Sequence, residues 1–342
     1  MEMLQFHPTG LIVPGSVVAG SLLEEGLRVA GAYMLNGLGE RFMERYDPAR
    51  MERTTRDVMS RSSFLEMMAG RGCEHGGVNM VAAHLGAEFV EKNFPGMYTR
   101  CKLFGYDLAR KPVPVSPAAH FMMGGAVIDT GCHTSLERLF AAGEDAGGIH
   151  GANRLGGNGI ADSCVYGRQA GKSITQYLKK ERGIPRADER QIEHLVAHYL
   201  APFSRTRGPS PLTLRDELRE VNWTHVGIAR TEEKLQHAID AIEKLHQEVL
   251  RVQLTGTGGR AYNMLWQDWI ALFNMLDVSR MISASAMHRQ ETRGAHFRLD
   301  YPEQNDRYGL FNIFLHRGAD GKPVLEKRPV DLKYMSPTDV VN

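Results

Sequence analysis

Two motifs near the start of the sequence combine residue types that could bind an anion or move a proton. In Gln-Phe-His7-Pro-Thr9, the proline constrains the backbone beside the histidine, so the imidazole ring could be aimed at a ligand. A hydrogen-bonded structural histidine is the simpler alternative. In Glu-Glu25-Gly-Leu-Arg28, carboxylates stand three and four residues before an arginine, a spacing that is typical of a solvated helix face.

An arginine at the start of a predicted helix is the third feature. Arg56 lies in Arg-Thr-Thr-Arg56-Asp57, where its positive charge opposes the positive end of the helix dipole. The helix gains nothing from this arginine, which favours a functional role. A simple ion pair between Arg56 and Asp57 is the structural alternative.

A glycine-rich block is the fourth feature. Glycine accounts for 36 of the 342 residues, and eleven of these lie between positions 124 and 167, among apolar residues rather than serines. Gly143-Glu144 would place a carboxylate where a ribose could bind. Arg154-Leu-Gly-Gly-Asn158 then leads to a helix N-terminus, whose free N–H groups favour an anion. The block is not the GxGxxG dinucleotide fingerprint.

Composition excludes several classes of protein. Lys and Arg number 41 against 40 Asp and Glu, so the net charge of +1 gives no broad basic field for nucleic acid. No apolar run approaches the roughly 18 residues of a membrane span, and the first residues lack the basic start of a signal peptide. Four cysteines without a CxxC pair predict a reducing compartment and no metal site.

Periodicity and proline or glycine breaks predict the elements that position these motifs. In the first part of the chain we expect strands, one helix and a proline-rich extended connector: Met3–Phe6, Tyr33–Leu35, Thr54–Met68 and Pro112–Pro117. The glycine-rich block should contain a strand and turn, a short buried strand and a helix: His120–Ile128, Leu139–Gly143 and Gly159–Leu178. Helices should follow, from a capped start at Thr213, over Leu235–Val249 and over Tyr262–Met287, before strands at Leu310–Leu315 and Val324–Glu326.

Seven motifs follow one another in a recognisable order: His7-Pro-Thr-Gly, Gly39-Glu-Arg-Phe-Met, Arg56-Asp-Val, His120-Phe-Met-Met-Gly-Gly, Gly143-Glu, His150-Gly-Ala-Asn-Arg-Leu-Gly-Gly-Asn and Glu291-Thr-Arg-Gly-Ala-His. Through them the sequence resembles the flavoprotein subunit of the succinate dehydrogenase and fumarate reductase family, which is related to L-aspartate oxidase. The resemblance runs from Met1 to about Lys327.

The resemblance implies a dicarboxylate substrate that exchanges a hydride with FAD and a proton with the protein. His7, Thr9, His120 and Arg154 match the substrate-binding positions, and an arginine suits a bidentate grip on a carboxylate. We expect the basic groups at positions 56, 120 and 154 to converge on one small hollow.

The resemblance also implies catalytic and cofactor roles. Arg56 matches the proton donor and acceptor, and Glu25 and Arg28 match its relay. Because arginine is almost always protonated, the alternative is that Arg56 only stabilises developing charge while a water carries the proton. The implied FAD contacts are Gly143, Glu144, Arg154, Asn158, Gly159 and Ile160.

Three departures from the family pattern put the exact substrate in question. Glu24 stands where a threonine or serine is usual, and a second carboxylate would repel a dicarboxylate unless it is protonated or turned away. Gly159 replaces the usual serine, and the spacing from His7 to Glu25 is lengthened by an insertion within Leu11–Ser21. The family's N-terminal strand–GxGxxG–helix unit is missing from the sequence, so we expect a fragment that begins at the capping domain.

The expected fold class is α/β plus α. We predict an α+β capping domain over 1–117, the C-terminal part of a Rossmann-like FAD-binding domain over 118–182, a helical bundle domain over 183–300 and a small β-rich tail over 301–342. An edge left by the missing strands should be exposed.

The leading hypothesis is an FAD-dependent oxidoreductase subunit that interconverts succinate and fumarate, or a similar dicarboxylate. Its implied partners are two further subunits, one carrying iron–sulfur clusters and one serving as a membrane anchor, with a cytoplasmic location on the inner face of the membrane. The alternatives are a catalytically silent assembly module without FAD, and a related flavoprotein of the L-aspartate oxidase type.

Overall fold

The computed structural model describes residues 1–16, 19–180, 183, 186–254, 256 and 258–333. Contacts divide the chain into two compact units. The sheet unit comprises Met3–Ala170 and Gly294–Phe297, and the helical unit comprises Met1–Glu2, Gly171–Arg293 and Arg298–Asn342. The finer division at 117, 182 and 300 stays a prediction.

A four-stranded antiparallel sheet organises the sheet unit. Its strands, in spatial order, are β1 (Leu4–Leu11), β4 (Val113–Met122), β3 (Val78–Val81) and β2 (Tyr33–Leu35). Short apolar runs with β-branched and aromatic residues form these strands, and their inward side chains join the main core with Leu27, Met59 and Val90 from the surrounding helices. The predicted strands at Met3–Phe6 and Tyr33–Leu35 are therefore present, the first of them longer than expected.

The proline-rich connector predicted at Pro112–Pro117 is wrong, because β4 runs through it as an internal strand. Proline cannot donate to a strand ladder, but bulges tolerate it. The β1–β4 register shifts between His7 and Gly10, and Pro117 falls opposite this shift, without a paired partner in β1.

One longer helix packs on β1, and the short helices contribute to the same hydrophobic core. The helices of this part are α1 (Glu25–Val29), α2 (Met43–Tyr46), α3 (Arg56–Met68), α4 (Ala87–Asn93) and α5 (Pro95–Leu103). Helix α3 begins two residues later than predicted, at Arg56 itself, after Thr55 in an extended conformation. Arg56 and Asp57 thus lie in the first turn, beside β1.

The glycine-rich block is mostly irregular up to a long helix, α6 (Asn158–Lys180). The buried strand predicted at Leu139–Gly143 is wrong: Leu139 is half exposed, and only an isolated bridge joins Phe140 to His133. Gly143–Asp145 form a single 3₁₀ turn, for which Gly143 supplies a φ of +79°. The carboxylate of Glu144 therefore follows a turn rather than the end of a strand.

Helices and one antiparallel β-hairpin make up the helical unit. Its further elements are α7 (Glu189–Leu200), α8 (Pro211–Val221), α9 (Glu232–Val249), α10 (Met264–His288), α11 (Asp306–Gly309), β5 (Phe311–Arg317) and β6 (Pro323–Pro329). The start predicted at Thr213 is wrong, because Ser210 caps α8 and Pro211 occupies its first position, where the missing N–H costs nothing. The spacing from Leu235 to Val249 correctly predicts the buried face of α9.

None of the helices in the described residues combines the length and apolar character needed to cross a bilayer.

Candidate functional site

The basic side chains at positions 56, 120 and 154 lie together in the sheet unit. Arg154 comes from the loop before α6, and its Nη2 donates to Nε2 of His120 on β4 at 2.9 Å. The ring of His120 lies edge-on to the ring of His7 on β1, with the centroids 5.1 Å apart. Arg56, in the first turn of α3, is close enough to act electrostatically on both histidines and on Arg154. Strand pairing of β1 with β4 is what brings the two histidines together.

An ion pair links Arg56 to Glu25, the first residue of α1. Nε and Nη2 of Arg56 donate to Oε2 of Glu25 at 3.0 and 2.7 Å. On the other side, Nη2 of Arg28 lies 3.6 Å from Oε1 of Glu25, and Nη1 of Arg28 donates to the carbonyl of Glu52 at 2.7 Å. The solvated helix face expected for this motif is wrong, because Arg28 is only 2% exposed. One carboxylate thus stands between two guanidinium groups.

The insertion in Leu11–Ser21 does not separate His7 from Glu25. The chain turns back on itself after β1, with hydrogen bonds from Leu11 N to Ser21 O at 2.8 Å and from Leu23 N to Thr9 O at 2.9 Å. The described residues at the two ends of this segment are therefore held together. Glu24, the unusual carboxylate, is exposed.

Both histidines are neutral at physiological pH. Burial, followed by the charge of Arg56, lowers the pKa of His7 from 6.5 to about 3 and that of His120 from 6.5 to about 4. Because an arginine can only donate, the bond from Arg154 also requires an unprotonated Nε2 on His120 and places its proton on Nδ1. The hydroxyl of Thr9 lies 3.1 Å from Nδ1 of His7 and donates to the carbonyl of Leu23 at 2.6 Å.

Positive charge in the site exceeds what the nearby acids compensate. Burial lowers the pKa of Arg28 and of Arg154, with Arg56 adding to the effect, and Glu25 opposes it in both. Within the described residues, Nε of Arg154 and both Nε and Nη2 of Arg28 are buried without a hydrogen-bond acceptor. A buried donor without a partner is costly, and a bound anion would satisfy it. The arrangement therefore suits a ligand that carries a carboxylate.

Phe121 shapes the position of Arg154. The guanidinium carbon of Arg154 lies 4.3 Å from the centre of the Phe121 ring, a cation–π contact, and His150 meets the same ring edge-on at 5.2 Å. A Cβ at Gly159 would lie 3.2 Å from both Nη1 of Arg154 and the Phe121 ring. The glycine at this unusual position thus leaves room for the stacked arginine.

Three residues of the site were not predicted from the sequence. Gln5, Asn153 and Asp57 form a hydrogen-bonded chain beside Arg56, and Asn153 Nδ2 donates to Oδ1 of Asp57 at 2.7 Å. The ion pair suggested between Arg56 and Asp57 is replaced by the pair with Glu25. The signal that could have identified Gln5 is its alternation with His7 and Thr9, since every second residue of a strand faces the same side.

The predicted FAD contacts lie around the start of α6. Gly156, Gly157 and Asn158 are exposed, Gly159 is half-buried, and Ile160 is 77% exposed, so the first N–H groups of this helix are accessible. One oxygen of Glu144 accepts from the N–H of Met122 at 3.0 Å, which fixes a carboxylate that is otherwise exposed. These residues fit a dinucleotide cofactor: helix N–H groups suit its phosphates, and a fixed carboxylate suits a ribose hydroxyl. In the part of the chain that the structure describes, no three His, Cys, Asp or Glu side chains could hold a metal ion.

Residues 1–160 match the family described as FAD binding domain, and residues 215–341 match the family described as fumarate reductase flavoprotein C-term. A component of the CoM/CoB fumarate reductase of Methanothermobacter marburgensis is 41% identical over 93% of this chain and 56% of that protein. The succinate dehydrogenase flavoprotein subunit of Coxiella burnetii is 35% identical over 97% of this chain and 57% of that protein. A variant of Escherichia coli quinol fumarate reductase FrdA superimposes with a TM-score of 0.88 at 32% identity, over 98% of this chain and 60% of that one.

The fold and these matches define a flavoprotein with an FAD-binding domain. The chain belongs to the flavoprotein family of fumarate reductase and succinate dehydrogenase. The predicted fold class and the predicted cofactor, FAD, are confirmed. The chain spans a little over half the length of the curated relatives it matches.

Proposed function

We propose that this chain forms the dicarboxylate site of an enzyme that interconverts succinate and fumarate, or a closely similar acid. The observation that carries the proposal is the convergence of Arg56, His120 and Arg154, with the buried Nε of Arg154 aimed at no protein acceptor among the residues described. A dicarboxylate supplies the missing acceptor and the missing negative charge.

Some residues of the site bind the substrate, and others transfer the proton. Arg154 and His120 hold one carboxylate, and His7, supported by Thr9, binds near it as a neutral hydrogen-bonding ring. FAD, when bound, accepts a hydride from one substrate carbon or returns it. Gly143, Glu144, Arg154, Asn158, Gly159 and Ile160 are the residues that would hold it.

Arg56 moves the proton at the neighbouring carbon. In the reducing direction it gives a proton and regains one through Glu25, whose Oε2 lies 2.7 Å from its Nη2. An arginine rarely loses its proton, so the gain of a proton from Glu25 must accompany the transfer to the substrate. Arg28, whose Nη2 lies 3.6 Å from Oε1 of Glu25, continues the path for the proton.

Partners and location belong to the same proposal. Electrons would be exchanged with an iron–sulfur subunit, while a membrane anchor subunit would hold the complex at the cytoplasmic face. The metabolic settings consistent with this are the tricarboxylic acid cycle and anaerobic respiration.

Two assays on the purified protein test the function. Flavin absorbance measures bound FAD, and oxidation of a reduced viologen dye measures fumarate reduction. We expect a flavoprotein that reduces fumarate and whose Arg56→Gln variant does not. Aspartate oxidation without fumarate reduction would instead establish the aspartate oxidase alternative. A colourless chain that binds no dicarboxylate would establish the assembly-module alternative.

A further inference from the structure

Two amide side chains, one buried and one half-buried, connect the arginines on either side of the site. The side chain of Gln5, which is fully buried, accepts from Nη1 of Arg56 at 3.3 Å. Its Nε2 donates to the carbonyl of Arg154 at 2.6 Å and to Oδ1 of Asn153 at 2.8 Å. Nδ2 of Asn153 in turn donates to Asp57 at 2.7 Å. All four hydrogen bonds join residues of the sheet unit.

The groups at the two ends of this series of hydrogen bonds impose a single orientation on both amides. A guanidinium can only donate and a carboxylate can only accept, so Arg56 fixes the oxygen of Gln5 and Asp57 fixes the nitrogen of Asn153. A rotated Gln5 amide would set donor against donor at Arg56 and acceptor against acceptor at Arg154. Donors and acceptors in this series of hydrogen bonds therefore follow one direction, and no rotated form of either amide is equivalent.

We infer that Gln5 and Asn153 are positioning residues that set the spacing between Arg56 and the backbone of Arg154. The inference rests on the proposed function, because the spacing matters only if both arginines serve one dicarboxylate. Helix α3 supplies Arg56, the loop before α6 supplies Arg154, and Gln5 on β1 hydrogen-bonds to both. The spacing would set the distance between the proton on Arg56 and the carbon of an acid held by Arg154, so that its loss lowers turnover more than binding.

The test is an exchange of side chains within the network. In Asn153→Asp, two carboxylates face each other and the bond to Asp57 is lost. In the double variant Asn153→Asp/Asp57→Asn, the bond between positions 153 and 57 forms again with its direction reversed, while position 153 still accepts from Gln5. The net charge of the double variant equals that of the unaltered chain. Asn93→Asp, an exposed position on α4, controls for the added charge.

The dissociation constant for succinate is measured by calorimetry, and turnover with fumarate by oxidation of a reduced viologen dye, on the unaltered protein and its variants. We expect Asn93→Asp to match the unaltered protein in both. We expect Asn153→Asp to lose about tenfold in turnover, which corresponds to one disrupted hydrogen bond, with a smaller change in succinate affinity, and the double variant to regain the turnover. If Asn153→Asp does not fold, the folded double variant decides alone by keeping or losing turnover.

Three results overturn the inference while leaving the proposed function in place. They are equal losses of succinate affinity and turnover in Asn153→Asp, unchanged turnover in Asn153→Asp, and no recovery in the double variant. An unaltered protein that neither binds succinate nor reduces fumarate overturns the proposed function itself.

Discussion

Acidification should destabilise the sheet unit through His7. The pKa of His7 is lowered by burial and by Arg56 from 6.5 to about 3, and the side chain is 2% exposed in the fold. The unfolded chain therefore binds a proton near pH 6.5 that the folded chain refuses until about pH 3. The stability associated with the neutral ring is complete above pH 6.5 and is lost as the pH falls from 6.5 towards 3.

The size of the effect follows from the width of this window. A pH of 5 lies about 1.5 units below the pKa of a histidine in the unfolded chain. Protonation of that histidine therefore favours the unfolded state by about 2 kcal/mol at this pH. His7→Gln removes this proton linkage and leaves every other titrating group in place. Between pH 8 and pH 5, the unaltered chain should therefore lose about 2 kcal/mol more of its unfolding free energy than the variant does.

Urea denaturation at pH 8, 7, 6 and 5, followed by circular dichroism, measures the difference between the two chains. The midpoints need correction for any change in the slope with denaturant. Parallel pH profiles for the unaltered chain and His7→Gln would refute the reasoning, because they would show that His7 takes up its proton as easily in the folded chain as in the unfolded one.

Three further substitutions test separate parts of the account. Arg56→Lys keeps the charge but not the forked guanidinium that pairs with Glu25. Turnover with fumarate should therefore fall about 100-fold or more, while succinate affinity changes much less. Full turnover would contradict the role of Arg56 as proton donor. Glu66→Gln removes a buried carboxylate that accepts from Arg71 at 2.7 and 2.8 Å. The unfolding free energy should fall by about 3 kcal/mol in denaturation experiments. A loss below about 1 kcal/mol would show that the pairing is not stabilising. Phe121→Leu removes the ring beneath the guanidinium of the substrate-binding arginine, so calorimetry should show succinate binding weakened about fivefold, and unchanged binding would exclude a contribution from the cation–π contact.

The sequence predicts the elements that local periodicity determines. The buried stripe from Leu235 to Val249 gives α9 with close bounds, and the apolar residues after Arg56 give α3. Local rules fail where tertiary contacts decide. Prolines within 112–117 indicate a connector, yet pairing with β1 and β3 on both sides holds β4 in an extended strand. The register shift that admits Pro117 cannot be read from one strand alone.

The site shows the same limit. Resemblance to the family indicates His7, His120, Arg56 and Arg154, and the structure brings them together, although their roles remain proposals. The burial of Arg28 follows from the contact of α1 with the turn at Met51–Arg53, which no local pattern reveals. A glutamate–arginine spacing of three residues looks the same on an exposed helix and on a buried one.

The amides of the site were missed for a related reason. Gln5 and Asn153 are 148 positions apart in the sequence, and neither residue type signals chemistry by itself. Their importance comes from hydrogen bonds to groups that can only donate or only accept. Such a network becomes visible only when strand, loop and helix are seen in contact.

Histidine titration with and without succinate tests most directly whether these basic groups form one dicarboxylate site. The C2–H resonances of His7 and His120 report their protonation in the 342-residue chain. We predict that saturating succinate raises the pKa of both rings above their free values of about 3 and 4, because a dianion beside them offsets the charge of Arg56. Succinate that binds without moving the pKa of either histidine would place the anion elsewhere and contradict the account.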